Sequence, residues 1–214
     1  MIAREGLNLI LLFVIVGVAL SIIGLLAALN ILLILAIAAG LNTLFLLYFF
    51  RDPERAIPSG VDLVVSPSDG RVLAIESALN SEFVGSDSKK ISVFLSPLDV
   101  HVIRAPIEGQ VKYSRYNKGA FRAAYKQEAS LTNENLELGI ENSQGRLVLK
   151  QIAGVLARRI VCHAKELDRL QKGTRLGVIK FGSRVELILP RNVDLRVKIQ
   201  DRVKAGETII GVFR

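Results

Sequence analysis

From Leu7 to Phe50 the chain carries no Asp, Glu, Lys or Arg, and Leu, Ile, Ala and Val dominate. One bilayer crossing takes about 20 apolar residues, so this run is too long for one span and suits two joined by a tight turn. The pattern predicts a transmembrane helical hairpin over residues 1–50, with helices over about 7–28 and 31–50 and Asn30 as the turn candidate. A secretory signal would show one apolar region of roughly 7–15 residues and a cleavage site. One steeply tilted helix, or a hairpin held in one leaflet, is the competing arrangement.

After Phe50 the pattern shortens. VDLVVSP, GRVLAIE, KKISVFLSP, HVIRAPIEG, QVKYSRY, LELGIEN, RLVLKQI, RRIVCHA, TRLGVIKF, RVELILP, LRVKIQ and TIIGVFR all have strand character. Their spacing of about 10–12 residues marks a sandwich or barrel. LARRIVCHAKELDRL has a partly helical composition, but its β-branched start argues for a strand. Ala120 to Thr132 reads as a loop or a short helix. Residues 51–214 are thus one mainly β soluble domain behind the membrane hairpin. Two pairs of segments echo each other: Ser68–Ile75 with Ile107–Ser114, and Lys172–Ile179 with Ala205–Phe213. Both look like the hammerhead turns of biotinyl and lipoyl carrier domains, which implies a flattened barrel-sandwich.

Charge adds an orientation and a partner. Arg4 precedes the hairpin and Arg51 and Arg55 follow it, and positive flanks favour the cytoplasmic side. The expected location is the cytoplasmic membrane, with the β domain facing the cytoplasm. The net charge of +8 suits a domain held near anionic headgroups. No compact basic run interleaved with aromatics occurs, so nucleic acid is not expected as a partner. The single cysteine, Cys162, forms no intrachain disulfide, which fits a reducing compartment. Clustered Cys and His are absent, so no metal site is expected.

Candidate chemistry is sparse. His101 follows the SPLD turn of FLSPLDVHVIRAP, on a short strand, where a side chain can project into a site. His163 follows Cys162, and neighbours on a strand point to opposite faces, so the two do not form a Cys–His pair. SPSDG (Ser66 to Gly70) is either a plain hairpin turn or a device that lets Asp69 orient a base. The stretch KFGSRVELILP, Lys180 to Pro190, is an apolar strand interrupted by Gly182-Ser183. A glycine there marks a bulge or a close backbone approach.

FGSRVELILP, SPSDGRV and FLSPLDVHVIRAP, with a hairpin ending in FFRDPER and the Asn-Glu-Asn segment Asn133–Asn135, resemble the short form of the phosphatidylserine decarboxylase family. The motifs stand in the family's order along essentially the whole chain. The resemblance implies that the chain cuts itself between Gly182 and Ser183, Ser183 attacking the Gly182 carbonyl. Ser183 then becomes a pyruvoyl group, the only cofactor, which forms a Schiff base with the serine headgroup of a membrane phospholipid. The expected reaction converts phosphatidylserine, or its ether-lipid equivalent, to the ethanolamine lipid. It further implies an Asp–His–Ser arrangement of Asp69, His101 and Ser183. Longer members carry a second histidine three residues on, where this chain has Arg104. Arg104 is a candidate for the substrate phosphate or for a structural salt bridge, and Asn133 and Asn135 either line the headgroup pocket or belong to a plain polar loop. The partners implied are the lipid, the bilayer and the two chains cut from one precursor, and a homodimer would be ordinary. The other readings are a membrane-anchored β domain without enzymatic activity, or a biotinyl or lipoyl carrier. The carrier needs a lysine at a hairpin tip beside Met or Asp, which this chain lacks.

Overall fold

The structure, a computed structural model, describes residues 1–78, 81–85, 87–155, 159–180 and 182–214. It divides into two compact units, Met1–Pro53 and Glu54–Arg214.

The first unit is a helical hairpin. Helix α1 spans Arg4–Leu26 and α2 spans Asn30–Phe49, and both are long and apolar enough to cross a membrane. At 1.5 Å per residue each covers about 30–35 Å, the thickness of the hydrocarbon core. Asn30 is the first residue of α2, and Ala27–Leu29 make the turn. Ala28 takes the left-handed conformation (φ 52°), and the Leu29 N–H closes on the Gly24 carbonyl at 2.9 Å. That is a Schellman closure with alanine where glycine is usual, and so it leaves no glycine signal. Small residues let the helices approach: a Cβ on Gly6 would lie 2.3 Å from the Phe50 ring, and one on Gly24 2.9 Å from Leu33. The hairpin's open end is pinned by Ala3 N–H to Phe50 O and Asp52 N–H to Met1 O, each 2.8 Å.

The second unit is all antiparallel sheet. Its strands are β1 (Leu63–Val65), β2 (Gly70–Ala78), β3 (Ser88–Leu95), β4 (Val102–Arg104), β5 (Gly109–Asn117), β6 (Asn135–Glu141) and β7 (Arg146–Ile152). They continue as β8 (Ile160–Cys162), β9 (Arg169–Leu170), β10 (Arg175–Ile179), β11 (Ser183–Leu189), β12 (Val193–Leu195), β13 (Arg202–Val203) and β14 (Ile209–Phe213). One turn of helix, α3 (Ala129–Thr132), ends the Ala120–Thr132 segment. The large sheet runs β13-β2-β3-β11-β7-β6-β5-β9, with two small sheets, β1-β14-β12 and β4-β10-β8.

Several expectations change. LRVKIQ forms no strand beyond Leu195: after a last bond from the Arg196 N–H to the Ile210 carbonyl its backbone leaves β14 and turns to enter β13. HVIRAPIEG breaks after Arg104 into the turn that starts β5. The described part of LARRIVCHAKELDRL forms β8 and β9 and no helix; its first residues, 156–158, lie outside the described residues, as does Phe181 of the Gly-Ser strand.

The sequence echoes are the imprint of a repeated unit. Val65 N–H bonds the Pro106 carbonyl at 2.9 Å, and Arg104 N–H bonds the Pro67 carbonyl at 2.8 Å, a reciprocal pair. Gly206 N–H to Ser66 O matches Gly173 N–H to Ala105 O, at 2.8 and 2.9 Å. Gly70 and Gly109 open the two long strands β2 and β5, each against a neighbouring carbonyl, where a Cβ would stand 2.2 Å from Phe94 O and 2.4 Å from Glu141 O. The core between the layers is built from the alternate residues of each strand, among them Ile91, Val93, Leu95, Leu138, Leu149, Val185 and Leu187. Each such burial stabilises by roughly 1.5–3 kcal/mol.

Candidate active site

The register gathers the motifs at one end of the large sheet. Arg71, Phe94, Arg184, Ile152 and Asn135 form one row across β2, β3, β11, β7 and β6. One residue further lie Gly70, Leu95 and Ser183, with Leu95 paired to Ser183. Gly70 and Ser183 are two strand spacings apart, roughly 10 Å.

Ser183 begins β11 on the core face, with Val185 and Leu187 next along that face. It is fully buried, and its hydroxyl has no hydrogen-bond partner among the described residues. A buried orphan hydroxyl is a cost that ordinary cores avoid. Gly182 before it is left-handed (φ 65°), a conformation glycine adopts at little cost and other residues rarely do. Its carbonyl oxygen is packed against the α-carbon of Gly154, just past β7: a Cβ there would stand 2.0 Å from that oxygen.

The SPLD turn positions His101. The Asp99 carboxylate accepts the Ser96 N–H at 2.8 Å, and the Ser96 carbonyl accepts the Asp99 N–H at 2.9 Å. This closed turn aims the Asp99 carbonyl at His101, whose Nδ1 lies 2.9 Å from it. A carbonyl only accepts, so Nδ1 carries the proton and Nε2 is left with its lone pair. Gly182 N–H points at that Nε2 over 3.4 Å. His101 is 1% exposed, and its own carbonyl accepts the Ile179 N–H, which ties it to β10.

Asp69 is held by other groups. A single Arg55 nitrogen spans both its oxygens at 2.9 and 2.8 Å, and the Ala205 N–H donates at 2.8 Å. Burial pushes the Asp69 carboxyl above the usual carboxylate value, against the pull of the Ala205 N–H and Arg55; the nearby Asp99 charge adds to the rise. Arg55 also reaches Glu207 at 3.4 Å and is nearly buried, so it is part of the β domain rather than a flanking charge of the hairpin. Arg104 is buried and donates to the Gly173 carbonyl at 3.1 Å.

Asn133 uses both amide hydrogens on the Arg122 and Ala153 carbonyls, each 2.8 Å, and accepts the Arg122 N–H at 3.0 Å. Asn135 donates to the Asn133 carbonyl and accepts from Asn117. Both amides brace the segment that covers the site end of the sheet. Gly154, Arg55 and the Asp99 carbonyl were missed as site components. Their motifs read locally as an apolar strand end, a charge next to a membrane and a turn.

Together these groups make a β domain that holds the His101 imidazole at the backbone N–H of Gly182, next to the buried Ser183. The family model for phosphatidylserine decarboxylase matches residues 42–211. Similar proteins include phosphatidylserine decarboxylase proenzymes of Chlorobium phaeobacteroides and Symbiobacterium thermophilum. The first is 45% identical over 79% of this chain and 80% of its own length. The second is 45% identical over 82% of each. A proenzyme of the same name from Desulfotalea psychrophila is 43% identical over 80% of each chain. The chain belongs to the phosphatidylserine decarboxylase family.

Proposed function

We propose that this protein cuts itself between Gly182 and Ser183 and then decarboxylates the serine headgroup of a membrane phospholipid, phosphatidylserine to phosphatidylethanolamine. Membership of the family supports the overall reaction. The observation that carries the self-cleavage is the unprotonated His101 Nε2 at the Gly182 N–H, beside a buried and unpartnered Ser183 hydroxyl.

In this reading the Ser183 oxygen attacks the Gly182 carbonyl carbon, helped by a base that takes the hydroxyl proton. The C–N bond gives way to an ester. Loss of the Ser183 α-proton then expels Gly182 as the carboxylate end of residues 1–182. Hydrolysis of the remaining dehydroalanine, with loss of ammonia, leaves a pyruvoyl group at position 183. That carbonyl supplies an electrophile for the substrate amine and a sink for the electron pair released with CO₂. The site suits its formation: Gly182 is in a deformable conformation, and pairing of β11 with β3 and β7 holds residue 183 after the cut.

His101 acts as the base at the cut and as a proton carrier for the headgroup. Asp69, set by Arg55, steadies the charge that develops on this wall of the site. Arg104 is the candidate for the lipid phosphate. The hairpin tethers the β domain to the membrane that holds the lipid, with Arg4 and Arg51 as the cytoplasmic flank.

Denaturing intact-mass spectrometry tests this reading. The unmutated protein should give residues 1–182 and a 183–214 fragment without a free amino terminus, and Ser183→Ala should give one inactive chain. An active Ser183→Ala protein, or an unmutated protein that stays whole, would sink it.

A further inference from the structure

One buried polar group near the site has no role in the steps above. Gln151 on β7 is fully buried, and neither its Oε1 nor its Nε2 has an oxygen or nitrogen partner among the described residues. It lies against the Cys162 thiol, itself half-buried and a weak partner. The register fixes where Gln151 points. It is paired with Val185 on β11 and with Leu136 on β6, and directly opposed residues share a face. Val185 faces the core, so Gln151 does too, as does Ser183 two residues from Val185. Gln151 and Ser183 are therefore diagonal neighbours on adjacent strands, with Cα atoms roughly 7–8 Å apart, within reach of a long side chain. Two adjacent strands thus bury three polar atoms with no oxygen or nitrogen partner among the described residues on one face: the Ser183 hydroxyl oxygen and both ends of the Gln151 amide, whose one contact is the Cys162 sulfur.

We propose that Gln151 is a positioning residue for position 183. On rotation of the two side chains toward each other, its amide oxygen accepts the Ser183 hydroxyl as the cut begins, and its amide nitrogen donates to the carbonyl oxygen that replaces the hydroxyl afterwards. An amide offers both a donor and an acceptor without charge. The Cys162 thiol, pushed up by burial, stays neutral and hydrogen-bonds the Gln151 side chain only through sulfur, a weaker partner than a hydroxyl. This inference rests on the reading that Ser183 is the site of cutting.

The test is Gln151→Leu in the full-length protein, which keeps the bulk and removes the unsatisfied atoms. A Gln151 that served only the core should be replaceable at no cost, since an apolar residue relieves two buried orphans. The two readouts are the unfolding temperature and the fraction of chain cut between residues 182 and 183 over time, by intact mass. The expected result is an unfolding temperature at or above that of the unmutated protein, with cutting slowed about tenfold or more, the effect of losing one well-placed hydrogen bond. Cutting at the unmutated rate would overturn the proposal. Gln151→Met, which is unbranched and adapts its shape, repeats the measurement should the leucine variant not fold. Loss of folding in both variants would show that the fold itself needs the Gln151 amide and would also overturn it. An unmutated chain that never cuts would instead refute the underlying reading, so the two failures are distinct.

Discussion

The residues after Ser183 invite a quantitative test. Arg184 and Glu186 alternate with Ser183 and Val185, so they point to the opposite face of β11, and each side chain is 2% exposed. Their ion pair is 2.8 Å long. Arg184 also donates to the Ser92 hydroxyl at 2.6 Å, and Ser130 on α3 donates to the other Glu186 oxygen at 2.9 Å. Glu186→Leu removes the anion and leaves a guanidinium buried with one hydroxyl and a distant carbonyl. Breaking one side of such a pair costs about 3–5 kcal/mol. For a domain of this size 1 kcal/mol moves the midpoint by roughly 2–4 °C, so the expected fall is roughly 6–20 °C. Arg184→Met with Glu186→Leu should recover most of that loss, because a matched apolar pair strands no charge. The assay is thermal unfolding followed by circular dichroism in detergent, in a Ser183→Ala background so that one covalent species is melted. A Glu186→Leu midpoint within about 2 °C of its parent would refute the reasoning and mean that water reaches the pair.

Gly154→Ala should slow self-cleavage at least tenfold, since its Cβ would stand 2.0 Å from the Gly182 oxygen and displace the carbonyl under attack; parental cutting by intact mass would contradict this. His101→Ala should abolish decarboxylation, assayed by CO₂ release from phosphatidylserine vesicles; cutting that survives in this variant would assign the self-cleavage base elsewhere. Burial, with the Glu137 charge, pushes the Tyr113 hydroxyl up to about 12, against the pull of Arg115. The fold therefore favours the neutral phenol, and that stability is full below pH 10 and lost as pH rises from about 10 through 12. Tyr113→Phe should flatten this part of the stability–pH curve, and absorbance at 295 nm should show one tyrosine titrating late. Gly139→Ala should destabilise by about 1–3 kcal/mol, read from the urea midpoint, because its Cβ would lie 2.2 Å from the Tyr113 ring.

Much of this architecture is written in local pattern. A charge-free run of that length can only be buried in lipid or protein, and it forms two apolar helices. Period-two alternation carries its own side-chain direction, so most strands were legible from residue order, and SPSDG and SPLD announced turns through residues that bond their own backbone. The resemblance marked Gly182, Ser183 and His101, and the structure brings His101 Nε2 to the Gly182 N–H. Where local signal was weak or ambiguous, reading failed: Ala28 closes the hairpin without a glycine, and LRVKIQ alternates like a strand but forms strand ladder only through Leu195, with a last bond from the Arg196 N–H to the Ile210 carbonyl. Tertiary structure alone decided the remainder. Arg55 meets Asp69, Gly154 backs the Gly182 carbonyl, and Gln151 shares a face with Ser183. The first depends on where the non-strand segment carrying Arg55 packs and the other two on strand register between distant segments, and both are set by the packing of the whole core, which no local window of sequence contains.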